Sequence, residues 1–363
     1  MSDNAIGKAF FAAANSGNGF QNFYHQVFSG EQLERRYLIK GGPGTGKSTF
    51  MRYLAKLATD EGIEVERYLC SSDPDSLDAL VLAGRFAVMD ATSPHCVDTE
   101  LAGARDELLD LGAFWSSDGL RRRFEDIKQL SKKKKESYST AYRFLNAAMT
   151  LDDCARAIGE RYVDWDKMRK TVHRIAKKIP DGDRYELKIG ICDSIGMRGR
   201  VRLDTYERLA NEIYFIEDYF HAGAAFLSLL IEEAREKRNS IRVSYAPLNP
   251  AYPDAVLFEK EGVTFVLCDG ENAKNGSIII KMKRFVDFDI QKEKKDDIKR
   301  AKVEYRNARR ISEGLICSAT EALSFAGEYH FELEKIYKDQ MDFVEQNRFC
   351  ERTAKKIIWD LLS

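Results

Sequence analysis

The sequence predicts an α/β protein built as two tandem three-layer α/β/α domains, residues 1–180 and 181–363, each with a mostly parallel sheet and a helical segment after it. Three observations predict this. Residues 36–54, "RYLIKGGPGTGKSTFMRYL", read as an apolar strand, a glycine-rich loop and an amphipathic helix in direct succession. Residues 212–230, "EIYFIEDYFHAGAAFLSLL", repeat that outline without most of the glycines. Further matching segments follow each copy in the same order, at an offset that drifts only between 171 and 179, the signature of an internal repeat.

In the first half, "RYLIK" is a buried strand and residues 41–49, "GGPGTGKST", fit the phosphate-loop pattern G-x-x-x-x-G-K-S/T. A chance match in a chain of this length has a probability of roughly one in a hundred. Gly41, Gly42, Gly44 and Gly46 let backbone N–H groups converge on phosphate oxygens, with Pro43 and Thr45 completing the loop. The helix that follows presents the positive end of its dipole. Lys47 supplies a point charge for the β- and γ-phosphates, and the Ser48 hydroxyl, with Thr49 beside it, is the Mg²⁺ ligand. Phe50, Met51, Leu54 and Leu57 fall on one helical face, and Gly62 is the stop. This half is therefore P-loop NTPase-like, with ATP and Mg²⁺ as its expected ligands.

Next, "VERYLCSSDPDSLDALVL" reads as a strand over residues 65–70, a polar turn and a short helix over "LDALVL". Asp73, Asp75 and Asp78 crowd that turn at the carboxyl end of a strand, where open α/β sheets bind ligands. Two roles compete for Asp73 and Asp75: placing a nucleophile or metal-bound water, or plain turn and capping chemistry around Pro74. The strand "FAVMD" ends in Asp90, the candidate magnesium-side carboxylate acting through water, with a solvated turn aspartate as the alternative. His95, five residues on, is either a phosphate contact or relay, or a structural loop histidine. Lys47, Asp90, Asp73, Asp75 and His95 form the candidate catalytic set.

In the second half, "IYFIE" aligns with "RYLIK", "VSYAPLNPAYPDAVLF" with the acidic-turn stretch, and "FVLCDG" with "FAVMDA", so that Asp254 falls on Asp78 and Asp269 on Asp90. Opposite the phosphate loop stands "DYFHAGAAF". Aligned on Gly223 and Gly46, Ala224 replaces Lys47, and Ala225 and Phe226 replace Ser48 and Thr49. Asp218 repels phosphate, and Phe220 and His221 crowd the loop. This half is expected to keep the fold and lose the nucleotide.

Two long charged helical stretches follow the cores, roughly residues 120–179 and 291–362. The first carries Arg121, Arg122 and Arg123 and then Lys132, Lys133, Lys134 and Lys135; a solvated face, an arginine-bearing lid over the nucleotide and a nucleic-acid or acidic-partner patch are the competing readings. Lys and Arg total 57 against 58 Asp and Glu, which argues against a globally basic nucleic-acid binder. No apolar run approaches the about 18 residues of a membrane helix, and the N-terminal segment is a poor signal peptide, so no membrane and a cytoplasmic location are expected. The seven cysteines are scattered without a C-x-x-C pair, which predicts reduced thiols and no zinc site.

Taken together, "FFAAANSGNGF", "KGGPGTGKST", "SSDPDSLDAL" and "DATSPH" resemble the motifs of an uncharacterised bacterial family of tandem P-loop proteins, ATPase-like or nucleotide-kinase-like, over essentially the whole chain. The resemblance implies that residues 15–20, 73–78 and 90–95 belong to the site. It implies ATP binding more than any one reaction. Three functions fit: a slow Mg²⁺-dependent ATPase with a regulatory pseudo-site half, a small-molecule or nucleotide kinase with an unassigned acceptor, and a non-catalytic ATP-dependent switch or scaffold for a protein partner. No acidic pair at the Asp90 strand end suggests a helicase, and no N-K-x-D stretch suggests a GTPase.

Overall fold

The structure, a computed structural model, describes residues 7–28, 32–268 and 278–363. Helix accounts for about 48% and strand for about 25%, which places the chain among α/β proteins. In the first half the order is β1 (Lys8–Phe11), β2 (Ala13–Ser16), β3 (Gly19–Asn22), α1 (Tyr24–Phe28), β4 (Arg35–Lys40), α2 (Lys47–Asp60), β5 (Val65–Leu69), β6 (Leu77–Leu82), β7 (Phe86–Asp90) and β8 (Asp106–Asp110). Helices α3 (Ser117–Arg122), α4 (Phe124–Glu160) and α5 (Trp165–Ala176) follow. The second half runs β9 (Glu186–Ile189), β10 (Asp193–Gly196), β11 (Gly199–Arg202), α6 (Thr205–Leu209), β12 (Glu212–Glu217), α7 (Ala222–Glu236), β13 (Ser240–Tyr245), β14 (Pro253–Phe258), β15 (Val263–Cys268) and β16 (Ile278–Lys281). It ends in α8 (Lys295–Lys338) and α9 (Phe343–Leu362). Among the described residues no helix is long and apolar enough to cross a membrane.

Two six-stranded sheets share one topology. The first has the order β1-β5-β6-β7-β4-β8 and the second, read in the same direction, β9-β13-β14-β15-β12-β16. Strand directions match pair by pair, and each sheet carries a register shift at the equivalent place, Tyr68/Leu69 and Ser244/Tyr245. Both sheets are mostly parallel, as expected, but mixed: β6 and β14 run antiparallel to both neighbours and the other five strands of each sheet run one way. This corrects the short helix expected over "LDALVL". All six residues of β6 are buried, which a surface helix cannot achieve, and the short polar turn before it can close a hairpin but not a crossover.

The pleat explains the layers. Tyr37, Ile39, Leu80, Leu82 and Val88 point to a core completed by α2 and α9, whereas Leu38, Ala79, Val81, Ala87 and Met89 point the other way. The second sheet alternates likewise, with Ile216, Val256 and Phe265 under α5 and α7, and Phe215, Ala255, Leu257 and Val266 facing inward. The inner faces share one core with Tyr24 and Phe28 of α1 and Tyr206 of α6. Each sheet therefore has its longer helices on the outer face, while its inner face meets the short helices α1 and α6 and the other sheet in place of the expected third layer.

The helical segments exchange partners. Helix α5, from the first half, packs on the second sheet through Met168, Val172 and Ala176. Helix α9, from the second, completes the first core with Ala354, Ile357 and Leu361. Neither core is confined to one side of residue 180. Helices α4 and α8 span between the sheets as an antiparallel pair, joined through Ala141, Leu145, Ala319, Ala322 and Leu323 and by the Ser312 hydroxyl donating to Ala148 O at 2.9 Å. Small residues at these positions let the backbones approach closely.

Candidate functional site

Parallel pairing of β4 with β7 sets Ile39 opposite Asp90, which delivers the carboxylate to the mouth of the loop that leaves β4. The Thr92 N–H donates to Asp90 Oδ1 at 2.8 Å, and the Thr92 hydroxyl donates to Gly41 O at 3.1 Å, tying strand end to loop. Lys40 donates to Ala91 O and Val97 O at 2.7 and 3.1 Å and fixes the segment beyond.

Helix α2 starts at Lys47 with Gly46 as its N-cap, at φ 79°, and no side chain caps its N-terminal N–H groups. Gly44, at φ 72°, also needs the left-handed region, and a Cβ there would stand 2.7 Å from Glu334 O of α8. The last turns of α8 lie on the loop: a Cβ at Gly42 would meet the Tyr337 ring at 2.8 Å. The Thr45 hydroxyl donates to Gly42 O at 2.9 Å. Pro43 is half-buried and Thr49 exposed.

Lys47 folds over this loop, donating to Gly41 O and Gly42 O at 2.9 and 2.8 Å, with Asp90 Oδ2 at 3.6 Å. Ser48 Oγ accepts the Leu77 N–H at 3.0 Å, which leaves its hydroxyl a lone pair and a proton. One hydroxyl and one carboxylate, with phosphate and water making up the rest, is a donor set suited to Mg²⁺. Among the described residues no three or more His, Cys, Asp or Glu side chains are grouped as an all-protein metal site.

The other candidates are engaged elsewhere. Asp73 and Asp75 both pair with Arg198 from the hairpin of β10 and β11, and Asp75 O accepts from Arg52. His95 is 6% exposed, stacked on Tyr24 at 4.7 Å, edge-on to Phe20 at 5.3 Å, and paired through Nε2 with Asp78 Oδ2 at 3.2 Å. Burial pushes its imidazole pKa down, but the Asp78 charge and hydrogen bond outweigh this and hold it above the usual value. Its buried Nδ1 has no hydrogen-bond partner among the described residues. Asp78, read from sequence as one of three turn acids, is the one whose carboxylate faces this histidine.

Four contributors escaped the sequence reading. From the other half, Arg198 reaches the turn of Asp73 and Asp75 and Tyr337 reaches Gly42, across separations that no local pattern reports. Tyr138 and Tyr142 on α4 donate to Ser72 Oγ and Asn15 Oδ1 at 3.2 and 3.0 Å. The four-residue spacing of Lys134, Tyr138 and Tyr142 was a signal available in the sequence.

The second-half loop is two residues shorter than the first, 218–221 against 41–46. Its helix α7 starts at Ala222 with His221 as the left-handed N-cap, φ 57°. Ala222, not Ala224, therefore stands at the place of Lys47, and Gly223 at that of Ser48. Asp218 Oδ1 accepts the Gly223 N–H at 2.7 Å, so a carboxylate of the chain already sits at the α7 N-terminus. Phe220 stacks on Tyr305 of α8 at 4.1 Å, and His221 pairs with Asp152 of α4 at 3.3 Å. Asp269, the expected counterpart of Asp90, lies outside the described residues.

Asp254, the counterpart of Asp78, has no histidine partner. Burial and then the nearby Asp193 raise its carboxyl from 3.8 to about 6. A carboxyl raised on folding contributes its stability below the unfolded value and loses it as pH rises through about 6. Asp254→Asn is accordingly expected to raise stability at about pH 8 by up to about 3 kcal/mol and to flatten the decline that this group causes between pH 3.8 and about 6, read by denaturation at several pH values.

No protein-family model, no curated protein and no solved structure matches the chain.

Proposed function

We propose that the first half is a P-loop NTPase-like domain that binds Mg²⁺·ATP at residues 41–49 and hydrolyses it slowly, and that the second half is a duplicated copy serving a structural or regulatory role. One observation carries the reading: Lys47 and Asp90 stand 3.6 Å apart at the uncapped N-terminus of α2. A helix end, a lysine and an opposed carboxylate form a site for a phosphate that brings its own divalent ion. Lys47 is the charge for the β- and γ-phosphates, the loop amides bind their oxygens, and Ser48 and Asp90 would hold Mg²⁺, which neutralises developing phosphate charge when bound. In hydrolysis, water attacks the γ-phosphorus, the bond to the bridging oxygen breaks, and the water proton passes to solvent. Asp73, Asp75 and His95 are all engaged in ion pairs, so none of the three stands free as a base for that water, which suits slow turnover.

A second reading, an ATP-dependent switch with little or no turnover, is favoured by α8 resting directly on the loop. A nucleotide that shifts the loop also shifts α8 and, through it, α4.

Calorimetry of the intact chain with Mg²⁺·ATP, together with phosphate release, tests both readings. Binding with measurable release supports the ATPase, and binding without release supports the switch. Absence of binding overturns the site. Asp90→Asn is expected to retain nucleotide, lose the Mg²⁺ dependence of binding and slow release by about tenfold to a hundredfold.

A further inference from the structure

Among the described residues, the lysines near the loop differ in their charge partners. Lys47 has Asp90, and Lys338 has Glu334 Oε2 at 2.7 Å. Lys134 of α4 is half-buried. Among the described residues its Nζ has His330 Nδ1 at 3.5 Å and no carboxylate within ion-pair distance. His330 is in turn engaged by Glu334 at 3.5 Å. Burial and then the charge of Lys47 push the Lys134 ammonium below its ordinary pKa.

A cation drawn out of water toward a second cation is costly, and an anion between them relieves both penalties. The position of Lys134 is built into the fold. Tyr138 and Tyr142, one and two turns along the same face, bind Ser72 and Asn15 at the carboxyl end of the first sheet, and Asn15 Nδ2 donates to Ile195 O at 2.8 Å. This ladder holds α4 against the carboxyl ends of β1 and β5, and on the α8 side Lys134 meets His330, one turn before Glu334, whose backbone packs against Gly44 of the loop.

We propose that Lys134 is a second phosphate-binding cation, supplied by α4, that contacts the terminal phosphate of a nucleoside triphosphate held by residues 41–49. The inference rests on the nucleotide reading above and adds the residue that tells a triphosphate from a diphosphate. The loop amides, the α2 N-terminus and Lys47 approach the phosphates from the loop side, Lys47 at the β- and γ-phosphates, so a second cation supplied by α4 from outside the loop meets the outermost group on its free side. There it also stabilises charge that develops as the terminal phosphate is transferred.

Lys134→Met keeps the apolar stem and removes the charge. Calorimetry with Mg²⁺ and a β,γ-imido ATP analogue is expected to show affinity weakened by about tenfold or more, with Mg²⁺·ADP within about twofold of wild type. Lys134→Arg is expected to restore most of the discrimination. Without nucleotide, Lys134→Met is expected to melt no lower than wild type, because the charge opposes Lys47 there. Equal losses for both nucleotides, no loss for either, or a lower melting temperature without nucleotide each overturn the inference while leaving the site reading intact. A wild-type chain that binds neither nucleotide overturns the site reading and this inference with it.

Discussion

Lys47→Ala is expected to weaken Mg²⁺·ATP binding by about a hundredfold or more and to bring phosphate release to background, while the chain melts within a few degrees of wild type. The size follows from what the ammonium faces. It is 14% exposed, donates to two loop carbonyls, and lies 3.6 Å from the Asp90 carboxylate. Removing it deletes the point charge for phosphate and leaves Asp90 as a bare anion beside the anion site. Charge-assisted contacts of this kind are worth about 1.5–3 kcal/mol before the repulsion is added, and a hundredfold loss corresponds to about 2.7 kcal/mol. The folded state loses little, because both carbonyls can be served by water at a site open enough to admit a ligand. Calorimetry and thermal melting on one preparation check both halves of the expectation. Affinity within threefold of wild type would show that the loop does not bind phosphate through Lys47.

The legibility of the two halves differs for physical reasons. Residues 36–54 were readable because strand, loop and helix are local, and each residue type is demanded by backbone geometry or by phosphate chemistry. The repeat of strand, turn and helix was readable in outline, and the two sheets share one strand order. Strand β6 was missed because a continuous apolar run has no period that separates a buried strand from a buried helix. The register of the second loop was placed by its glycine. There, however, the left-handed position is held by His221, whose ring is pinned by Asp152, so glycine was a misleading anchor. What crosses between halves was not legible at all. The exchange of α5 and α9 leaves each helix with an apolar face that fits either sheet, and only the antiparallel span of α4 and α8 decides which one it meets.

That crossing makes the second expectation a matter of stability. Arg242→Ala is expected to cost about 3–5 kcal/mol of folding free energy, because it strips a buried charge from the seam between the two sheets. Arg242 is 4% exposed. Its Nη2 donates to Glu66 Oε1 of β5 and its Nε to Glu259 Oε1, each at 2.8 Å, and its guanidinium lies 4.5 Å from the centre of the Phe10 ring. One side chain thus satisfies a carboxylate from each half beside the shared apolar core. Truncation leaves two largely buried carboxylates with only the longer contacts of Lys8 to Glu66 at 3.9 Å and Lys188 to Glu259 at 3.7 Å, which costs more than the pair itself was worth. The pH dependence separates this from lost packing. Burial pulls the Glu259 carboxyl up, but Arg242 outweighs it, so its pKa lies below the ordinary value in the folded chain. A carboxyl lowered on folding contributes stability above its unfolded value, near 4.5, and loses it as pH falls through the folded one. In the alanine variant that acid-side loss should shrink or reverse, because protonating Glu259 then relieves repulsion. Arg242→Met keeps most of the stem over Phe10 and should recover little if charge dominates. Pairing Arg242→Ala with Glu66→Gln should recover part of the loss by removing one orphaned anion. Denaturant melts of the four proteins at neutral and acid pH read these effects, and a cost below about 1 kcal/mol for Arg242→Ala would mean that the two halves are held by apolar burial alone.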